Sequence, residues 1–287
     1  ARRKTVKAKL RSVAGVLRDL DECRLTATER ATLERDLAAE VTGLWQTPQV
    51  RDRRPEVLDE AHNVQWYLEN VLFDVVGEVY DRLERSLEDH YPEVEVPKLF
   101  EFRSWAGSDR DGNPHVTPEV TAETLDRQRT VVLERYAAAL ESLTGVLGQH
   151  ADRIDVGEGV RERLADYEDV YPTVAARAAS RYPDEPYRQL LCLLRERVDR
   201  VDDLRPGGYE EPAALAADLR TLAADLRANG AGTVAEAQVD PVLRQVETFG
   251  FALASLDLRD HRENHTEAVG AVLRRAGIPY AEVDEAE

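Results

Sequence analysis

Methionine is missing from the 287 residues, cysteine occurs twice, and lysine occupies only four positions, Lys4, Lys7, Lys9 and Lys98. A chain without methionine that opens on Ala1 is expected to be a trimmed product or a piece of a longer one. Cys23 and Cys192 are too few for a disulfide framework and have no CxxC spacing for a metal or redox pair. No run of about 18 apolar residues occurs, which leaves no helix able to span a membrane. No basic and then apolar leader opens the chain. Together these absences lead us to expect a reduced, cytoplasmic protein.

The charge is one-sided. Asp and Glu number 56 against 38 basic side chains, a net charge of −18, and 34 of those basic side chains are arginine. Nucleic-acid backbones and anionic membranes are repelled by such a surface, so neither is expected as a partner. Excess carboxylate with little lysine suits a protein working in high salt, where screening suppresses self-repulsion. A local arginine cluster can still outweigh the overall sign for a small anion. Hydrophobic residues make up 43% of the chain, enough for a sizeable core within one or two domains.

Most of the sequence carries apolar residues at three- and four-residue spacing, which predicts helices. Val6, Leu10, Val13, Leu17 and Leu20 form one stripe. Thr26 with Glu29 is a capping box opening a second helix that should stop before Pro48. A long pattern runs from about Pro55 to His90. Thr117 and Pro118 supply a cap and an N1 proline for a helix reaching about Leu147. Further helices are expected over 159–181, 185–204, 211–228 and 238–248, and a last one from about Arg262 to just before Gly277. Two segments differ. Lys98 to Ala106 alternates and is aromatic, and Phe249 to Arg259 holds a short apolar run, so both read as strands. Strand, charged loop and helix, occurring twice among long helices, predict part of an α/β barrel of the TIM type with large helical insertions. No linker separates an independent piece, so residues 1–287 read as a single partial domain.

The loop after the first strand packs Asp109, Arg110, Asp111 and Asn113 between Gly107 and Pro114. At the carboxyl end of a barrel strand such a loop builds an active site. It also fits a tight Asp-Gly turn whose side chains bond their own backbone. Asp109, Asp111 and Asn113 have the start of a calcium-loop spacing, but Pro114 and Val120 stand where Gly and Glu are required, which excludes that motif. At the end of the second strand, alternation puts Asp257 and Arg259 on one side and Leu256 and Leu258 on the other. Arg259 offers a planar, permanently charged fork for a phosphate or carboxylate, or else half of a structural Arg–Asp pair. His261 and His265 could share a helical face, but Arg262 sits where a zinc-protease motif needs Glu.

Phe102 to Thr117 (FRSWAGSDRDGNPHVT) resembles the strand-and-loop signature of the phosphoenolpyruvate carboxylase family. Three other stretches agree in order: Leu44 to Thr47 with Arg54 to Ala61, Glu185 to Arg188 with the helix after it, and Leu243 to Arg259 continuing to Glu267. The resemblance covers nearly the whole chain. It implies a barrel enzyme that carboxylates phosphoenolpyruvate with bicarbonate, giving oxaloacetate and phosphate with Mg²⁺ or Mn²⁺, commonly as an allosteric homotetramer. Bicarbonate attacks phosphorus, and the resulting carboxyphosphate releases CO₂ for capture by the enolate of pyruvate.

Carried over by position, Arg259 resembles the arginine that grips the substrate phosphate, and Trp105 the tryptophan that walls the pocket. Asp109, Arg110, Asp111 and Asn113 match the loop at the active-site mouth. Ala106 and Ser108 depart from the family's Met and Gly. Asp260, His261 and Arg262 stand in place of its usual Gln-Glu-Ser. The family's catalytic histidine lies in a motif just before the position of Ala1, and its metal ligands lie beyond Glu287. The resemblance therefore implies no catalytic or metal residue within 1–287, and an inactive piece of a longer enzyme. A non-catalytic helical interaction or regulatory chain is the competing reading; it has no need of two strands that end in charged loops.

Overall fold

In the computed structural model, residues 2–47, 56–88, 90–91, 94 and 96–278 are described. Backbone packing groups the chain into two units, Ala1–Asp59 and Glu60–Glu287. In the first, α1 (Arg2–Glu22) and α2 (Ala27–Trp45) form a helical hairpin. Thr26 accepts from the Glu29 N–H while the Glu29 carboxylate accepts from the Thr26 N–H at 2.8 Å, so the expected capping box forms. Lys9 on α1 pairs with Glu40 on α2 at 3.2 Å.

The second unit carries the core. The long pattern expected from Pro55 to His90 becomes α3 (Val57–Tyr67), a π-helical turn at Leu68–Leu72, and α4 (Phe73–Glu88); Pro55 lies outside the described residues. Next come β1 (Arg103–Ser104), α5 (Pro118–Val146), α6 (Glu158–Val170), α7 (Pro172–Arg181), α8 (Pro186–Asp199) and α9 (Pro212–Ala228). A short α10 (Gly232–Val234) runs through a second π turn into α11 (Asp240–Phe249), followed by β2 (Ser255–Leu256) and α12 (Arg262–Arg275).

Four of these starts, α5, α7, α8 and α9, are set by a proline at the first helical position, where its missing N–H costs nothing. The single helix expected over 159–181 is two, because Pro172 cannot donate to the preceding turn and Tyr171 leaves the helical region. The helix expected over 185–204 ends at Asp199.

Both strands are much shorter than expected. Phe249 belongs to α11, which Gly250 ends at φ +57°. Among the described residues neither strand has a second strand partner, so Ser255 and Leu258 are exposed rather than buried. The strands are positioned from beneath. Phe249 stacks between Phe73 and Phe102 at centroid distances of 5.1 and 5.2 Å. From α5, the Tyr136 hydroxyl donates to the Gly250 carbonyl at 2.7 Å, and the buried Gln128 accepts from the Ala254 N–H at 2.9 Å.

A single carboxylate joins three helices. Asp218 on α9, 3% exposed, accepts from Arg163 and Tyr167 on α6, Arg197 on α8, and Tyr209. Arg197 also lies 3.9 Å from the centre of the Tyr209 ring. Truncation would strand two guanidiniums and two phenols at once, so Asp218→Ala should cost ~3–5 kcal/mol in urea unfolding; a loss below about 1 kcal/mol would contradict this account. Burial, reinforced by the Asp218 charge, pushes the Tyr167 and Tyr209 phenols above their ordinary range. The unfolded phenols ionise first, near pH 10, so the stability they contribute is complete below that pH and is lost as pH rises beyond it.

Candidate active site

The two strands run parallel, Arg103 opposite Ser255 and Ser104 opposite Leu256. Their ladder includes Ser255 N–H to the Phe102 carbonyl at 3.0 Å and Asp257 N–H to the Ser104 carbonyl at 2.9 Å. Beyond it the two charged loops remain in register, with Asp109 bridged to Arg259. The Arg110 N–H donates to the Arg259 carbonyl at 2.7 Å. Parallel pairing thus brings the carboxyl ends of both strands together, where the loops of an α/β sheet carry its chemistry.

Within this pair the Arg259 guanidinium donates to Asp109 Oδ2 at 3.2 Å while remaining more than half exposed. Asp109 Oδ1 accepts from the Asp111 N–H at 3.3 Å, which fixes that carboxylate on both oxygens. The readings of Arg259 as one half of an Arg–Asp pair and as an accessible cation therefore coincide in one geometry. Asp111 and Asn113 are exposed; the Asn113 amide oxygen turns back onto the His115 N–H at 3.1 Å. Trp105 directly follows β1 and is 57% exposed. Arg110 is half-buried, and its Nε–H lacks a partner among the described residues.

Neighbouring residues hold this arrangement, and of these Arg103 and Glu101 were not singled out in the sequence. Ser108 is fully buried, and its hydroxyl bridges to the Asp257 carbonyl at 2.9 Å. The serine in place of glycine thus ties the loop to the other strand. Arg103 spans Glu101 and Asp257 at 3.0 and 3.3 Å, and Glu101 first, then Asp257, raises its proton affinity. Asp260 accepts from Asn264 and from the His261 N–H, which hold its carboxyl below the usual range. His261 faces Asp111 at 3.7 Å rather than pairing with His265. For Ser108, Arg103 and His261 only the residue types were legible in sequence, because the partners Asp257 and Asp111 lie about 150 positions away.

A family model described as phosphoenolpyruvate carboxylase matches residues 1–287. The chain belongs to the phosphoenolpyruvate carboxylase family. It is 36% identical to the phosphoenolpyruvate carboxylase of Roseiflexus castenholzii, over all of this chain and 32% of that protein. The Xanthomonas campestris pv. campestris phosphoenolpyruvate carboxylase is 36% identical over 96% of the chain and 32% of its own length, and that of Parasynechococcus marenigrum 33% identical over 99% and 31%. The chain therefore spans about a third of the length of the curated phosphoenolpyruvate carboxylases it matches.

A cavity of about 800 Å³ lies at the amino ends of the strands, lined by Lys98, Phe102, Gly250 and Ser255 among others. It is at the opposite end from the charged loops, so the chemistry and not the volume marks the site. Gly107 sets the loop's first turn at φ +93°, and an added Cβ would land on the Thr124 hydroxyl. Gly107→Ala should therefore cost at least ~1–2 kcal/mol from the left-handed backbone alone, measured as a shift in urea midpoint. An unshifted midpoint would show that the turn relaxes freely.

Proposed function

We propose that the longer protein containing this chain carboxylates phosphoenolpyruvate with bicarbonate to oxaloacetate and phosphate. Family membership supports the reaction. The observation that carries the local reading is the juxtaposition of Arg259 with the 109–113 loop across a parallel strand pair. Arg259 would bind the substrate phosphate. Its anchoring to Asp109 fixes the guanidinium before substrate arrives, so little side-chain freedom is lost on binding. Trp105, exposed at the strand end, would wall the pocket and exclude water from the reacting carbon. The unpartnered Arg110 Nε–H is a further donor at the loop.

A divalent cation would supply charge stabilisation to the enolate oxygen. Among the described residues no cluster of three His, Cys, Asp or Glu side chains could hold one. Asp109 is already engaged by Arg259 and the Asp111 N–H. We assign the cation's ligands and the general base to the longer chain, as the family resemblance implies, so residues 1–287 alone should form no oxaloacetate. The parallel register of β1 and β2, their open edges and the helices that follow both loops support the reading of these strands as neighbours in a TIM-type barrel. We assign the assembled enzyme to a homotetramer in the cytoplasm.

Arg259→Ala in the full-length enzyme should remove a charge-assisted clamp of about 1.5–3 kcal/mol. That corresponds to a roughly 10- to 150-fold higher phosphoenolpyruvate requirement, read from steady-state kinetics, and unchanged kinetics would remove the role given to Arg259. The acid-rich, lysine-poor surface predicts a protein that needs salt. Thermal unfolding should shift to lower temperature as salt falls below the molar range, whereas full stability in dilute buffer would reject salt adaptation.

A further inference from the structure

The paired segments do not keep one spacing. Arg103 faces Ser255, an offset of 152 positions, whereas Asp109 faces Arg259, an offset of 150. Between the ladder and the bridge the first segment therefore holds two residues more than the second. A parallel ladder spaces its bonds evenly, so after the Asp257 N–H on the Ser104 carbonyl the next rung would be the Ala106 N–H on the Asp257 carbonyl. That rung is not made. The Ala106 N–H turns back onto the Ser104 hydroxyl at 3.1 Å, and the Ser108 hydroxyl donates to the Asp257 carbonyl at 2.9 Å in its place. Pairing then resumes, with the Arg259 N–H on the Ser108 carbonyl at 3.4 Å.

Bulges of this kind re-aim side chains and are common beside active sites. This one carries Trp105. The Trp105 carbonyl accepts from the Ser108 and Asp109 N–H groups, both at 3.0 Å, while its side chain stays more than half exposed at the strand end. Ser104 and Ser108, 7% and 0% exposed, close the bulge from either side. Ser108 reaches both walls of the site. Its N–H holds the Trp105 backbone, and its hydroxyl holds the second strand two residues before Arg259.

We propose that Ser108 is a positioning residue for the carboxylation, its hydroxyl standing in for the missing backbone rung and so setting the Trp105 side chain against the Arg259 guanidinium. The inference rests on the roles given above to Trp105 and Arg259. Ser108 itself, fully buried, has no access to substrate and acts through those two residues.

The test places fluorotryptophan in the full-length protein and follows the Trp105 resonance by fluorine NMR, assigned by its loss in Trp105→Phe. Steady-state kinetics give the phosphoenolpyruvate requirement of the same proteins. Ser108→Ala removes the hydroxyl and keeps Cβ. In it the Trp105 resonance should move or broaden, and the requirement should rise roughly 2- to 12-fold, the worth of one hydrogen bond. Ser104→Ala opens the other side of the bulge and should move the same resonance, a second reading should one variant fail to fold. A serine that served stability alone would lower the thermal midpoint with the resonance and the requirement unchanged, and that result would overturn the proposal. A resonance that moves while the requirement keeps its wild-type value would overturn it too. Failure of the proposed carboxylation shows differently, as wild-type protein that forms no oxaloacetate, and the resonance then still decides whether Ser108 holds Trp105.

Discussion

Parallel pairing of two very short strands is the constraint on which the candidate site depends. The ladder between β1 and β2 is only two residue pairs long, yet it fixes the register of everything beyond it: Ser108 on the Asp257 carbonyl, the Arg110 N–H on the Arg259 carbonyl, and Arg259 on Asp109. A slip of one residue would turn Arg259 to the other face. So short a ladder does not hold its own register. The Phe73–Phe249–Phe102 stack and the buried polar anchors Tyr136 and Gln128 on α5 hold it from below.

Arginine does much of the joining in this molecule. Arg163 and Arg197 meet on buried Asp218, Arg244 joins Glu84 to Glu247, and Arg103 joins Glu101 to Asp257. A planar fork with several donors can serve two carboxylates at once, which a lysine point charge does less well. The lysine-poor composition and the two-partner arginines are therefore one feature seen at two scales. Most such pairs are solvent-exposed and contribute little singly; the Asp218 cluster, removed from water, is the exception.

Helices were legible wherever local chemistry marks an end. The Thr26–Glu29 capping box and the Thr117–Pro118 start stand where the sequence puts them, and α12 begins at Arg262 as expected. Pro172 carried an equally local signal that the apolar periodicity masked. The strands were legible as segments but not in extent, because strand length is set by the partner and Gly250 ends α11 inside the apolar run. Asp109, Arg110 and Arg259 were legible as candidate residues. Their contacts were not, since a backbone ladder between positions 150 apart leaves no pattern in either segment. Asp218 sits in an Ala- and Leu-rich stretch that gave no hint of a buried carboxylate.

The central claim is that Asp109 acts through Arg259, holding it ready for the substrate phosphate. Equilibrium binding of phosphoenolpyruvate to the full-length protein, across wild type, Asp109→Asn, Arg259→Gln and the double variant, tests this directly. The account predicts that Asp109→Asn weakens binding when Arg259 is present and has no effect once Arg259 is replaced. Losses that simply add in the double variant would contradict it.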